Sequence, residues 1–272
     1  GSTSSRTTYN LGNAVRRACD DAKRDILQLA SSKMDAPAEL MEIRNMEVMV
    51  TSDPDKKIKV GDLYTPYQNK PPKIFGGAAD AGGEIMGKAD YKTDCIPDDP
   101  ATGQLDPELA KKGKRLNAFY AYVAKGIEVG VNVETGEVKV LRCYGAVDLG
   151  KAINPKMCEQ QSEGGMVMGI GSALYEETLM EKGRVLNPNF TDYRAPLAAQ
   201  LPPNGEMKSI FVESAPHKDG PFGAKGFSEG AVAGMEPAIA NAVYDAVGVR
   251  INELPMTPER VLRALRDREG KG

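Results

Sequence analysis

The sequence predicts an α+β protein of two lobes, and three observations carry that prediction. Helix-period and strand-period segments mix without a regular βαβ repeat. Residues 116–147 alternate as strands, with Ile127, Val129, Val131 and Val133 answered across Glu134-Thr135-Gly136-Glu137 by Val138 and Val140, the pattern of an antiparallel hairpin. Two later stretches, 157–177 and 230–248, are rich in small residues, and the second carries a helical apolar stripe. The lobes are expected at 1–115 and 116–272, with a ligand cleft between them.

The chain has 272 residues, 41% of them hydrophobic and 27% charged, the range of a globular protein with a real core. A net charge of −3 gives no electrostatic case for nucleic acid or an anionic membrane. Cys19, Cys95, Cys143 and Cys158 are scattered without a C-x-x-C pairing, and His217 alone cannot build a histidine metal site, so no metal ligand is assigned. A reduced, cytoplasmic protein is expected, with no signal peptide and no membrane span. Gly1-Ser2 reads either as a vector scar or as the start of the first motif.

In chain order, Ser2 to Thr8 are small, hydroxylated or basic, and a helix pattern follows with Leu11, Val15, Ala18, Ala22, Ile26 and Leu29 on one face. A hydroxyl-rich loop running into a helix N-terminus suits an anion. The same residues also fit a frayed terminus with Asn10 as the N-cap. A short helix is expected at Ala38–Met41, then a hairpin of Met46–Thr51 and Lys57–Val60 around Ser52-Asp53-Pro54-Asp55. Residues 66–115 are dominated by Pro, Gly, Asp and Lys. No G-K-[ST] follows the glycines, so a P-loop is rejected. A lid or partner contact suits such a stretch, and the basic run 111–115 reads as a solvated turn.

After the hairpin, Asp148 and Asn154 suit turn and capping roles. Gly164, Gly165, Gly169 and Gly171 would each weaken an isolated helix by about 1 kcal/mol relative to Ala, which points to close packing or ligand approach. Gln161 has an amide that donates and accepts at once. Glu163 reads as a buried structural carboxylate or one paired with a backbone turn, and Cys158 as core. Tyr193 and Arg194 read as structural, before a strand at 207–214, and His217 as a solvated or packing residue. Gly220 to Glu229 (G-P-F-G-A-K-G-F-S-E) has glycines that permit close ligand approach and ends on a carboxylate. Glu229 is either a base whose pKa burial raises, or a dipole-complementing residue ahead of a helix. That helix has Val232, Met235, Ile239, Val243 and Ala246 as its stripe and Gly248 as its C-cap. Thr257-Pro258 starts the last helix, before a disordered tail.

Three of these motifs, in order, resemble the C-terminal half of the molybdenum-binding subunit of the xanthine dehydrogenase and aldehyde oxidase family. They are Ser4-Ser5-Arg6-Thr7-Thr8 with Gly12-Asn13-Ala14-Val15, the run 145–177, and 220–263. The resemblance implies that Ser4, Ser5, Arg6, Thr7, Thr8, Gln161, Lys225 and Gly226 bind the cofactor, a molybdenum–molybdopterin cytosine dinucleotide. It implies that Glu229 is the general base of an oxidative hydroxylation of an N-heterocycle or an aldehyde. FAD and 2Fe-2S clusters, for which this chain has no ligands, would sit on flavin and iron–sulfur partner subunits. An N-terminal half of the molybdenum subunit is a further implied partner. Ser4 stands where the family has Gly or Ala, and Ser228 where it usually has Gly. The alternative is a non-catalytic cofactor-binding or assembly component.

Overall fold

The computed structural model describes residues 5–63, 85–95, 102, 108, 111–112 and 117–270. Ser4, most of the 66–115 stretch and the last two residues lie outside that set. The chain divides into two compact units, one of residues 10–93 and one of residues 1–9 with 94–272.

In the 10–93 unit, helix α1 (Gly12–Met34) packs on a three-stranded antiparallel sheet, β1 (Met41–Arg44), β2 (Glu47–Val50) and β3 (Asp53–Lys59). Its core is Ala30, Met41, Val48, Val50, Val60 and Leu63, flanked by Ile26, Leu27 and Met34. Only the second half of the helix feeds this core. Leu11 and Val15, expected on the apolar face, are 57% and 52% exposed. Asn10 is not the N-cap: a π-turn, Thr7–Leu11, leads into α1, and no side chain caps its start. The helix ends on Asp35 in the left-handed region, and Lys33 Nζ donates to the carbonyls of Asp62 and Leu63 at 3.0 and 2.7 Å. The expected helix at 38–41 is a single 3-10 turn, Ala38–Leu40. The hairpin turn is shorter than expected, because β3 begins at Asp53 with a register shift opposite Met49 and Val50.

In the larger unit, β4 (Val123–Val131) pairs antiparallel with β5 (Val138–Asp148) in the expected hairpin. Asn132 Oδ1 accepts from the amides of Glu134 and Thr135 at 2.9 and 3.1 Å, which builds the turn. Helix α2 (Pro155–Leu174) follows, with Asn154 as its N-cap, accepting from the Met157 amide at 3.2 Å. After a small hairpin, β6 (Met180–Glu181) and β7 (Arg184–Val185), strand β8 (Met207–Val212) returns parallel to β5. The sheet order is β4-β5-β8, so α2 lies within a parallel crossover. Helices α3 (Met235–Val247) and α4 (Pro258–Glu269) complete the unit. Gly248 caps α3 at φ 68°, and Thr257 Oγ1 caps α4. The core joins Val140, Cys143, Met166, Ile170, Met235, Ile239, Val243, Met256 and Val261. Ala246, expected on the α3 stripe, is exposed.

The glycines of α2 separate by what lies over them. A Cβ at Gly165 would strike the Ala231 side chain and lie 2.8 Å from the Ala231 carbonyl carbon, and one at Gly169 would lie 2.6 Å from Met235 Cγ. These two, four residues apart, let the 229–235 segment sit against the helix backbone. A Cβ at Gly164 would meet nothing within 4 Å.

Candidate cofactor and base site

The segment between β8 and α3 carries the site. His217 and Gly223 close a tight loop, with the His217 amide donating to the Gly223 carbonyl at 2.9 Å and the Gly220 amide to the His217 carbonyl at 3.0 Å. The Lys225 amide then donates to the Leu149 carbonyl at 2.9 Å, which ties the loop to the end of β5. Lys225 is nearly buried. Its ammonium donates to Asp148 Oδ2 at 2.5 Å and to the Tyr120 carbonyl at 3.0 Å. Asp148 therefore does more than the expected turn-building, which it also does by accepting from the Gly150 amide at 3.2 Å.

Glu229 opens a 3-10 turn, Glu229–Ala231, against α2. Its carboxylate is exposed on this chain, so the burial expected for a tuned base is not supplied by the described residues. Ser5 reaches it from the other end of the sequence. Ser5 Oγ lies 3.2 Å from Ser228 Oγ and 3.4 Å from Glu229 Oε2. Ser5 has φ 59°, a left-handed conformation uncommon for a non-glycine residue. Gly226 is buried because Ser5 and Phe119 occupy the space of its side chain, with a Cβ falling 2.8 Å from Ser5 Oγ and 2.9 Å from Phe119 Cζ. Arg6, Thr7 and Thr8 continue from Ser5 with exposed side chains. From α2, the exposed Gln161 donates through Nε2 to the Ser228 carbonyl at 3.4 Å.

Ser5, Gln161, Lys225, Gly226 and Glu229 are thus brought together, Arg6, Thr7 and Thr8 adjoin them, and Ser4 lies outside the described residues. Glu163, expected to be buried, is half-buried. Tyr193 keeps its structural reading through a hydrogen bond from its hydroxyl to Glu176 Oε2 at 2.5 Å.

Sequence reasoning missed two supports of the site. Tyr9 is buried, with its hydroxyl 3.2 Å from His217 Nδ1, and its ring packs against Phe119 at 4.9 Å between centroids. His217 is therefore a packing residue that joins the N-terminal segment to the glycine loop. The second is Lys125, whose Nζ donates to the Ala231 carbonyl at 2.7 Å. Its signal was present, because it occupies an inward position between Val123 and Ile127 on an alternating strand.

The donor set is hydroxyls, one guanidinium and one primary amide, groups that match phosphate oxygens and the edges of a pterin. Among the described residues, no group of three or more His, Cys, Asp or Glu side chains could hold a metal ion. The open space over Gly164, one turn from Gln161, leaves the α2 backbone accessible beside the amide. These residues fit the organic part of a large anionic cofactor.

A family model described as molybdopterin cofactor-binding domain matches residues 1–202. An aldehyde oxidoreductase molybdenum-binding subunit of Escherichia coli K12 is 37% identical over 172 residues, 61% of this chain and 23% of that one. The gamma subunit of the 6-hydroxypseudooxynicotine dehydrogenase complex of Paenarthrobacter nicotinovorans is 30% identical over 269 residues, 96% of this chain and 30% of that one. The crystal structure of quinoline 2-oxidoreductase from Pseudomonas putida 86 shares the fold, with a TM-score of 0.75 at 24% identity over 98% of this chain and 31% of that one. The chain spans 23–31% of the length of these three relatives. No described helix is long and apolar enough to cross a membrane. By the matched domain and by these relatives, the chain belongs to the molybdopterin-binding domains of the xanthine dehydrogenase and aldehyde oxidase family of molybdenum oxidoreductases.

Proposed function

We propose that this chain is the part of a molybdenum hydroxylase subunit that presents the general base and one side of the cofactor site. The observation that carries this reading is the convergence on one turn of two distant segments: Ser5 on Ser228 and Glu229, and Gln161 on the Ser228 carbonyl. Ser5, Arg6, Thr7 and Thr8 would hold the phosphates of a molybdopterin cytosine dinucleotide, and Gln161 an edge of the pterin. Lys225 would serve by fixing the loop, since its ammonium is engaged by Asp148 and Tyr120 and its amide by the Leu149 carbonyl, and Gly226 through its backbone. When bound, the cofactor supplies the redox chemistry of an oxidative hydroxylation at an electron-poor carbon of an N-heterocycle or an aldehyde.

The protein's own contribution is proton management. One carboxylate oxygen of Glu229 accepts a proton at the reacting centre, and the Ser5 hydroxyl, 3.4 Å from Oε2, orients the carboxylate. Ser228, in place of the family's glycine, adds a hydroxyl whose oxygen lies 3.2 Å from Ser5 Oγ. The remaining walls of the site, and the burial that would tune Glu229, come from the rest of the molybdenum subunit. Iron–sulfur and flavin subunits carry the electrons away through 2Fe-2S clusters and FAD, in a cytoplasmic complex.

Isolation of the native complex, with molybdenum and released cytidine nucleotide measured per chain, tests this reading. Near-stoichiometric metal and nucleotide with iron–sulfur and flavin partners are expected. A complex with neither would leave the domain a non-catalytic component and refute the proposal.

A further inference from the structure

The turn that bears Glu229 is only three residues long, and short 3-10 turns hold their shape poorly by their own hydrogen bonds. Its clamps are therefore informative. From below, α2 supplies bare backbone at Gly165. From above, β4 supplies Lys125. Pairing in the sheet sets Lys125 opposite Gly145, and a Cβ there would fall 3.1 Å from Lys125 Nζ and 3.1 Å from Met166 Sδ. The missing side chain opens a path for the lysine to cross the strand. Its ammonium donates to the Ala231 carbonyl at 2.7 Å. Among the described residues, no carboxylate pairs with it. Asp245 and Asn241 line the same cavity of about 490 Å³ between β4 and α3, alongside Val123 and Ile127. Burial pushes the lysine down from its ordinary 10.5. A half-buried cation without a counter-ion costs stability, so the position demands a use.

We infer that Lys125 is a positioning residue for the base, fixing the Glu229–Ala231 turn through the Ala231 carbonyl so that the carboxylate points at the site. The inference rests on the proposed function for its catalytic consequence, but the mechanical claim stands on geometry alone. Lys125 touches neither cofactor nor substrate in this scheme and acts through Glu229.

The test is Lys125→Met, which keeps the stem and removes the donor, made in the full chain within the complex in which it purifies. Amide hydrogen exchange over residues 228–233 should quicken by about tenfold or more, the loss of one charge-assisted hydrogen bond, while α2 and α3 keep their protection. Molybdenum content should hold, and kcat should fall by about tenfold or more with KM within about twofold. Unchanged exchange at 228–233 overturns the inference. So does a general loss of protection across α2 and α3, which would make Lys125 a residue of the fold alone. If the wild-type complex carries no molybdenum and no activity, the proposed function fails while the exchange measurement still decides the role of Lys125. Should the methionine variant fail to accumulate, Lys125→Gln keeps a polar end without the reach or charge of the ammonium, and normal exchange at 228–233 in that variant overturns the inference equally.

Discussion

Gly164 and Gly165 are adjacent on α2, so they share a helix, a neighbourhood and a backbone cost. Replacing either with alanine should favour the helix by about 1 kcal/mol. Their surroundings differ. The added methyl at 164 meets nothing within 4 Å, whereas at 165 it would strike the Ala231 side chain and lie 2.8 Å from the Ala231 carbonyl carbon. Ordinary carbon contacts lie near 3.5–4.0 Å, so the Glu229–Ala231 turn would have to retreat by about 1 Å. Overpacking of that kind costs roughly 1–3 kcal/mol. The helix gain cancels between the two variants, so their difference isolates the packing: Gly165→Ala should be less stable than Gly164→Ala by about 1–3 kcal/mol. In a melting experiment the gap corresponds to roughly 2–4 °C for each kcal/mol at this chain size. Urea titration of both variants beside the wild type, with shared slopes, gives the same number independently. Equal stability of the two variants, or a more stable Gly165→Ala, would refute the argument that α2 uses this glycine to seat the Glu229 turn.

Two further outcomes follow from buried charge and a buried thiol. Asp148→Ala should leave the Lys225 ammonium buried with only the Tyr120 carbonyl as acceptor, and lower unfolding stability by about 3–5 kcal/mol. A loss below about 1 kcal/mol in urea titration would show that the pair is unimportant. Burial raises the Cys143 thiol from its ordinary 9.0 to about 11. A raised folded value means the native state holds its proton longer than the unfolded chain does. The stability from the neutral thiol is therefore fully present below 9.0 and lost as pH climbs through about 11. At a pH between those values, iodoacetamide should label the exposed Cys19 and spare Cys143, as peptide mapping would show. Comparable labelling of both would contradict the burial.

Much of the larger unit was legible because its signals are local. Alternation fixed the hairpin 123–148, and the caps Asn154, Gly248 and Thr257 fell at their expected places. The α2 glycines announced close approach, but a glycine does not name what approaches. Gly165 and Gly169 proved to face the chain itself, and Gly164 faces open space. The convergence of Ser5 and Gln161 on Ser228 was not legible from spacing, since 223 residues separate the two serines; only the order of the motifs suggested it. The first half of α1 was misread because Leu11 and Val15 have the period of a buried face and yet lie exposed. Burial depends on what packs against a helix, and periodicity reports only the helix. The alternation of β4 placed Lys125 on the inward face, but its partner is a backbone carbonyl that no sequence pattern marks.

The central claim is that Glu229 serves as the base at a bound molybdenum cofactor. Glu229→Gln keeps the shape and hydrogen-bonding reach of the side chain and removes its capacity to take a proton. The most direct measurement is steady-state turnover of that variant in the assembled complex, with molybdenum per chain determined on the same preparation. The account predicts unchanged molybdenum and a loss of kcat of about 10²–10⁴-fold, the usual worth of a positioned base. Wild-type turnover at full molybdenum occupancy would contradict it.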